Sequence, residues 1–305
     1  MIIKQIIKKT LKILLKFFLI FHKRYYIVMV DGGLGSQIFK FALGTCLAEK
    51  TNSKVYYDLS WFRDCGMDIQ NKFTRKYEIE EVFPQVKMQE PSKLLLKITK
   101  FCNTYSTQFS HIYDENIFKL KNVYLDSYFA NIQYFYDVEK TLKSELLFNT
   151  NFVQYKLKDS ENLNTIAVHI RQGDYVNSIH DVTTPQYFAD SIKYFNDKFS
   201  SDCFFYIFCT SEKYFENNVL PMLSFPVKYK LISSTDDKGA VDMYRMSECK
   251  NFIISNSSFS LFPAWLNKHA GTVIMPSKWH KEMNSNMTKD SDKAFILKNA
   301  VIMDV

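Results

Sequence analysis

From Thr165 onward, short apolar runs alternate with helix-patterned segments. Strands are predicted at 165–170, 203–209, 227–233, 251–255 and 272–275, with helices at 185–199, from 212, at 238–249 and at 258–268. This alternation leaves few folds open. A strand, a crossover helix and a further parallel strand repeat one handed unit, so the region is predicted to be a doubly wound parallel sheet. A second unit of the same kind opens earlier, with a strand at 25–30, a glycine turn at 31–36, a helix at 37–50 and a strand at 54–58. Residues 60–120 are polar, aromatic and weakly periodic, and the order of their elements does not follow from the pattern. The polar stretches Asn149-Thr150-Asn151 and Lys158-Asp159-Ser160-Glu161-Asn162 place a boundary within 150–163. The expected organisation is a segment 1–24, a Rossmann-like domain 25–160 and a second Rossmann-like domain 161–305, a division that suits a chain of 305 residues.

Residues 1–24 read differently. Lys4, Lys8, Lys9, Lys12 and Lys16 share one arc of a helical projection, and Ile3, Ile6, Ile7, Leu14, Phe17 and Phe18 take most of the rest. That pattern is a basic amphipathic helix, which lies on an anionic membrane surface or packs on the protein itself. A spanning helix needs about 20 largely uncharged residues, whereas the longest uncharged run here is 17–22. Neither a transmembrane segment nor a cleaved signal peptide is expected. The formal charge of +7 favours an anionic partner, and much of the excess sits in this segment. The expected location is the cytoplasmic, inner face of a membrane, held peripherally. Six cysteines, Cys46, Cys65, Cys102, Cys203, Cys209 and Cys249, show no metal-ligand spacing and read as small core residues of a reducing compartment. The positive run is not interleaved with stacking aromatics, so nucleic acid is not an expected partner.

Three segments carry chemistry. In Ala167-Val168-His169-Ile170-Arg171-Gln172-Gly173-Asp174-Tyr175 an apolar run delivers His169, Arg171 and Asp174 to a strand end, and the planar fork of Arg171 suits a phosphate. In Asn251-Phe252-Ile253-Ile254-Ser255-Asn256-Ser257-Ser258-Phe259 a second run ends in hydroxyl and amide groups at a helix start, where phosphate binds without a cation. An ordinary helix cap would account for one of these residues but not for the run. Two strand-end anion sites suggest a diphosphate ligand. Gly32-Gly33-Leu34-Gly35-Ser36-Gln37 follows a strand and opens a helix, so a ligand or another backbone can approach there. It does not complete a dinucleotide fingerprint, because the third glycine position falls on Ile38. Asp290-Ser291-Asp292 is a D-x-D pattern set among polar residues and reads as a solvated loop, so no metal is expected.

These motifs together resemble the α-1,2-fucosyltransferases of glycosyltransferase family 11. That family carries a G-G-L-G-N-Q loop, an H-x-R-R-x-D-Y segment and a late S-N-S-S-F-S-W-W segment. Softer matches lie at 127–135, at 242–249 and at Met275-Pro276 with Trp279, so the resemblance spans residues 26–280. It implies a two-domain B-type glycosyltransferase fold, with GDP-fucose held mainly by the carboxyl-terminal half and the acceptor sugar by the amino-terminal half. The implied reaction is inverting transfer from GDP-β-L-fucose to O2 of a terminal galactose on a glycan, in lipid-linked form where the helix brings enzyme to membrane, with no required cofactor or metal. Arg171 is implied to hold the β-phosphate. Ser257 and Ser258, within the donor-binding run Ser255, Asn256, Ser257, Ser258 and Phe259, are implied to hold phosphate oxygens. Asp242 or its neighbours are implied to face guanine or ribose, and Gly33, Gly35 and Gln37 to approach the donor.

Three departures stand out. Gln172 replaces the second Arg, Ser36 the loop Asn, and Leu261-Phe262-Pro263 the Trp pair. The base that deprotonates the acceptor stays open among Asp31, His169 and Asp174. Two other readings are compatible with the motifs: a fucosyltransferase of another linkage, such as α-1,6, and a silent GDP-sugar-binding scaffold.

Overall fold

A computed structural model describes residues 2–67, 74–107, 111–157, 164–200, 202–209, 211–233, 239–281, 293–298 and 300–305, and groups the chain into two units, Met1–Leu147 and Phe148–Val305. Each unit is built on its own all-parallel sheet, matching the fold class expected from strand-helix alternation.

In the amino-terminal unit the strands are β1 (Tyr25–Met29), β2 (Lys54–Asp58), β3 (Thr104–Tyr105) and β4 (Val123–Leu125), in the spatial order β2-β1-β4-β3. The chain moves outward from β1 on one side and returns on the other, so its order reverses between β1 and β4. The helix after β1 runs Leu34–Thr51. It starts three residues before the expected Gln37, because Gly33 already caps it and the glycine turn is correspondingly shorter. Gly32 turns the chain there with φ +75, and a Cβ on it would lie 2.9 Å from that of Ser36. The region that resisted ordering contains the helices Ser60–Asp64, Ile79–Val82 and Lys93–Cys102 together with β3.

In the carboxyl-terminal unit the strands are β5 (Asn164–Ile170), β6 (Cys203–Cys209), β7 (Tyr229–Ser233), β8 (Asn251–Ile253), β9 (Val273–Pro276) and β10 (Val301–Met303). Their order, β7-β6-β5-β8-β9-β10, is the 3-2-1-4-5-6 order of a dinucleotide-binding sheet, with its reversal between β5 and β8. Residues 165–170 of β5 are all buried, as a central parallel strand covered on both faces must be. Val168, Ile170, Phe188, Ile192, Phe195 and Ile207 form part of the core beneath it. The Pro185–Lys198 helix starts as its sequence signals, with Thr184 accepting from the Tyr187 N–H and proline in the first turn. The helix expected from 212 is broken into short turns ending at Leu220–Met222, because Pro221 lacks the N–H that would continue it. β10 extends the sheet beyond the elements read from sequence.

The division after Leu147 falls ahead of the polar break at 150–163. Phe148 and Phe152 pack on Tyr244 at 5.4 and 5.9 Å, which ties this segment to the Gly239–Ser247 helix of the second unit. The cysteines are all unpaired, and five of the six are buried.

The expected helix at the start of the chain is present at Ile2–Ile20, and it is part of the first unit. Leu15 and Leu19 pack against Leu95, Leu96 and Phe101 of the Lys93–Cys102 helix. Asn122 fixes the end of that arrangement. Its amide donates to the carbonyls of Leu19 (2.5 Å) and His22 (3.4 Å) and accepts from the Tyr25 N–H (3.1 Å), from a backbone with φ +51. Asn122→Ala removes all three bonds and puts a Cβ-bearing residue without a local hydrogen bond in the left-handed region. The expected loss is about 2–3 kcal/mol in urea denaturation, with Asn122→Gly losing less because its backbone is unstrained.

Candidate functional site

In an open parallel sheet, ligands bind outside the carboxyl ends of the strands where the order reverses. The carboxyl-terminal unit has both of its chemistry-bearing segments at that place. His169 lies one residue from the end of β5 and Ser255 follows β8, and Ser255 Oγ lies 2.9 Å from His169 Nδ1. This hydrogen bond joins two motifs 86 residues apart. Tyr187 supports the same edge by donating its hydroxyl to the Ile254 carbonyl at 2.6 Å.

His169 is buried, with its ring 5.5 Å from that of Phe259. Burial, aided by the Arg171 charge, pushes its pKa down from 6.5 to about 3. It is therefore a neutral hydrogen-bonding link, and so weak a base is poorly matched to proton abstraction near neutral pH. Arg171, half-buried, follows one residue after β5 with its guanidinium 5.1 Å from the Tyr175 ring centre. Gly173, at φ +66, turns the loop in a conformation that suits glycine. The side chain of Asp174 lies outside the described residues, as do Asp290 and Asp292.

After β8 the chain turns into the Ser258–Trp265 helix. Ser257 is its cap, accepting from the Phe259 N–H at 3.3 Å, so one residue of the run does the ordinary capping work. Asn256 does something else. Its amide donates to the carbonyls of His180 and Trp279, both at 2.8 Å, and so clamps the loop after β5 and the segment after β9 to the end of β8. Asp242 is buried on the Gly239–Ser247 helix, which packs beside the Ser258–Trp265 helix, and it pairs with Arg245 at 3.3 Å.

The reversal point of the amino-terminal sheet also has its strand ends tied, by a residue that the sequence reading missed. Lys40, on the Leu34–Thr51 helix, is fully buried. Its ammonium donates to the Ser127 carbonyl after β4 at 2.5 Å, lies 3.6 Å from Asp31 Oδ1 after β1, and sits 5.5 Å from the Tyr128 ring centre. Burial pushes the Lys40 pKa down, and the Asp31 carboxylate opposes that shift. Asp31 is part-exposed and also accepts from Ser36 at 3.5 Å. The signal for Lys40 was a cation on an otherwise apolar stretch, Ile38-Phe39-Lys40-Phe41-Ala42. A lysine there must find a carboxylate or carbonyl at the helix–sheet seam.

Gln37 was expected to approach the donor, and its geometry gives it another task. Its amide nitrogen donates to the carbonyls of Gly32 and Lys76, and its oxygen accepts from the N–H groups of Glu78 and Ile79. Those four bonds use the whole capacity of the amide, so Gln37 is a strap for the glycine turn. Gly35 is buried in the first helical turn, whereas Gly33 stands at the helix start and is half-exposed.

The profile of glycosyl transferase family 11 matches residues 81–299. The chain belongs to glycosyl transferase family 11. Among characterised relatives, this family 11 protein is 30% identical over 277 residues to an α-1,2-colitosyltransferase of Escherichia coli, covering 85% of this chain and 94% of that one. It is 27% identical over 303 residues to the O-antigen biosynthesis glycosyltransferase WbnK of Escherichia coli, covering 86% and 97%. Among solved structures it is similar to fucosyltransferase NodZ from Bradyrhizobium, with 13% identity, 79% and 93% coverage and a TM-score of 0.44.

In this family 11 glycosyltransferase, the structure thus brings His169, Arg171, Ser255, Asn256, Ser257, Ser258 and Phe259 to one sheet edge, and Asp31 and Gly33 to the equivalent edge of the other unit. The buried imidazole makes a pH prediction. Its folded pKa of about 3 lies below the unfolded 6.5, so the unfolded state binds the extra proton between those values. The stability contributed by neutral His169 is full above 6.5 and is lost as pH falls toward 3. His169→Asn, which keeps a hydrogen-bonding group toward Ser255, is expected to show a flatter stability profile than wild type across that window in denaturant titrations.

Proposed function

We propose that the protein transfers L-fucose from GDP-β-L-fucose to O2 of a terminal galactose, with inversion to an α linkage and without a metal ion. The observation that carries the reading is the His169–Ser255 hydrogen bond, which fixes the Arg171 loop and the Ser257 helix start at one reversal point. Membership of family 11 supports glycosyl transfer. The motif resemblance supplies the sugar, the linkage and a galactose-terminated acceptor.

The acceptor O2 attacks C1 of fucose, and the bond from C1 to the β-phosphate oxygen breaks with its electron pair leaving on GDP. Charge grows on the departing diphosphate while the sugar becomes oxocarbenium-like, so groups fixed toward that phosphate lower the barrier. Arg171 holds the β-phosphate. The Ser257 and Ser258 hydroxyls and the N–H groups of the helix start take the remaining oxygens, and the helix dipole adds to their effect. Asp242, with its partner Arg245, stands on the neighbouring helix where the nucleoside is held. These groups neutralise the diphosphate without a metal cation.

Asp31 takes the acceptor proton. The support is its partial exposure at the amino-terminal reversal point and the buried Lys40 beside it. His169 is too weakly basic for this role.

A second reading has its own support. The 30% identical relative is named for colitose transfer, and colitose is fucose without its 3-hydroxyl. A site built to bond that hydroxyl rejects the deoxy sugar by about 10⁴-fold or more, whereas an apolar site there accepts it. Parallel assays with GDP-fucose and GDP-colitose separate the two.

With GDP-fucose, galactose-terminated acceptors and EDTA, the purified protein is expected to give product fucosylated at galactose O2. Arg171→Ala is expected to lower kcat about 10²–10³-fold. GDP binding without transfer, unchanged on adding Mg²⁺ or Mn²⁺ and a wide acceptor panel, overturns the reading in favour of a silent nucleotide-sugar binder.

Asp31→Asn is expected to lower kcat about 10²–10⁴-fold, leaving GDP affinity unchanged in calorimetry. Removing one partner of a buried ion pair leaves the other charge uncompensated, at a cost of about 3–5 kcal/mol when that charge is fully buried. Asp31 is part-exposed, so Lys40→Met is expected to stay folded with a loss below about 3 kcal/mol in denaturant titration while kcat falls. Equal kcat in both variants and wild type removes Asp31 from the chemistry.

A further inference from the structure

The Ile2–Ile20 helix is only partly used by the fold. On the helical projection Leu15 and Leu19 form a narrow seam against the Lys93–Cys102 helix. Ile13, Leu14 and Phe17, with Phe21 just past the helix end, occupy the opposite, wider arc and face outward, while Leu11, one turn before Leu15, is exposed beyond the packed seam. Phe17 is 63% exposed and Phe21 80%. An apolar ridge of this kind on a helix surface marks a place of contact. Lys9, Lys12 and Lys16 are exposed along one flank, between the packed seam and the ridge.

The charge distribution identifies the partner. Residues 1–24 hold six lysines and one arginine and no acidic residue, so their charge equals the whole chain's excess of +7 and the remaining residues balance to zero. The packed-on helix Lys93–Cys102 likewise contains lysines at 93, 97 and 100, all exposed, and no acid. A second copy of this chain would bring the same positive helices face to face. A bilayer rich in anionic lipid offers both what the ridge needs and what the lysines need: apolar depth beside a negative headgroup layer. No helix among the described residues is long and apolar enough to cross a membrane, so the contact is with one surface.

We propose that the outward face of the Ile2–Ile20 helix docks the protein on an anionic lipid surface such as a cytoplasmic leaflet. The Ile13, Leu14, Phe17 and Phe21 side chains enter the acyl boundary, and Lys9, Lys12 and Lys16 reach the headgroups. Asn122 holds the helix end against β1 and β4, so the docking face is fixed to the unit whose reversal point carries Asp31. The inference stands independently of which sugar is transferred.

The test is flotation of the full chain with vesicles of phosphatidylcholine alone and of phosphatidylcholine mixed with phosphatidylglycerol. Wild type is expected to float with the anionic vesicles and to be released as salt rises. Each lysine near an anionic surface contributes about fivefold in partitioning, so the Lys9→Gln, Lys12→Gln, Lys16→Gln triple variant is expected to bind about 10²-fold more weakly. Leu14→Glu with Phe17→Glu is expected to abolish flotation. Both positions face solvent, so thermal unfolding and transfer to a soluble acceptor are expected to match wild type. Failure of wild type to float with anionic vesicles overturns the proposal. So does self-association, measured by light scattering, that the Leu14→Glu, Phe17→Glu variant abolishes while vesicle binding is unchanged.

Discussion

The hydrogen bond between Ser255 Oγ and His169 Nδ1 is the contact on which the carboxyl-terminal site depends. Parallel strands place β5 and β8 side by side, but the ladder between them ends at Val168 and Ile253. Beyond it each chain is free to diverge. A buried imidazole and a buried hydroxyl close the gap and hold Arg171 and the Ser257 helix start at one strand edge, as the proposed diphosphate site requires. The burial of the ring also explains its protonation state. A charged imidazole beside the Arg171 guanidinium would combine desolvation with like-charge repulsion, and both effects keep the ring neutral. Of His169 and Arg171, the positive charge therefore resides on Arg171, the group able to meet a phosphate.

The amino-terminal sheet meets the same geometric need with opposite chemistry. Its reversal point is also spanned by one side chain, since Lys40 reaches Asp31 after β1 and the Ser127 carbonyl after β4. Here the link is ionic. A buried ammonium is costly unless paired, and breaking one partner leaves an uncompensated charge, so Lys40 holds Asp31 where the carboxylate side chain is 27% exposed. A neutral link suits the edge that is proposed to receive a diphosphate. A charged link suits the edge proposed to receive an uncharged sugar hydroxyl and its proton.

Much of this was legible in the chain because buried parallel strands write themselves as unbroken apolar runs. Residues 165–170, 203–209 and 273–275 needed no tertiary knowledge to be read as strands. The residues that follow such runs were legible as site residues for the same reason. What was not legible depended on long-range partners. Gln37 looked like a ligand group until Lys76, Glu78 and Ile79 were seen to use its amide. Lys40 stood out only as a cation in an apolar stretch, and its tie between the strand ends depends on the Ser127 carbonyl 87 residues away. The division after Leu147 depends on Tyr244 collecting Phe148 and Phe152 across almost a hundred residues. β3 is two residues long, too short for any period to show.

The substitution of Gln172 for the family's second arginine also has a physical place. Gln172 lies close enough to Tyr214, on the segment after β6, to offset part of the rise that burial gives the Tyr214 pKa. A second guanidinium at that position would stand next to Arg171 and would have to share the same strand end with it. With Gln172 there, Arg171 is the one cation of the two positions, and neutralisation of the proposed diphosphate draws on dipoles: the Ser257 and Ser258 hydroxyls and the N–H groups at the start of Ser258–Trp265. Dipoles act over shorter distances than charges, so such a site depends more steeply on position than a site with two arginines does. The Asn256 clamp to His180 and Trp279 is the counterpart of that dependence, because it holds the segments around the helix start with two hydrogen bonds from a single buried amide. Fewer charges and more fixed geometry are two aspects of one solution, and both begin at the edge that His169 and Ser255 close.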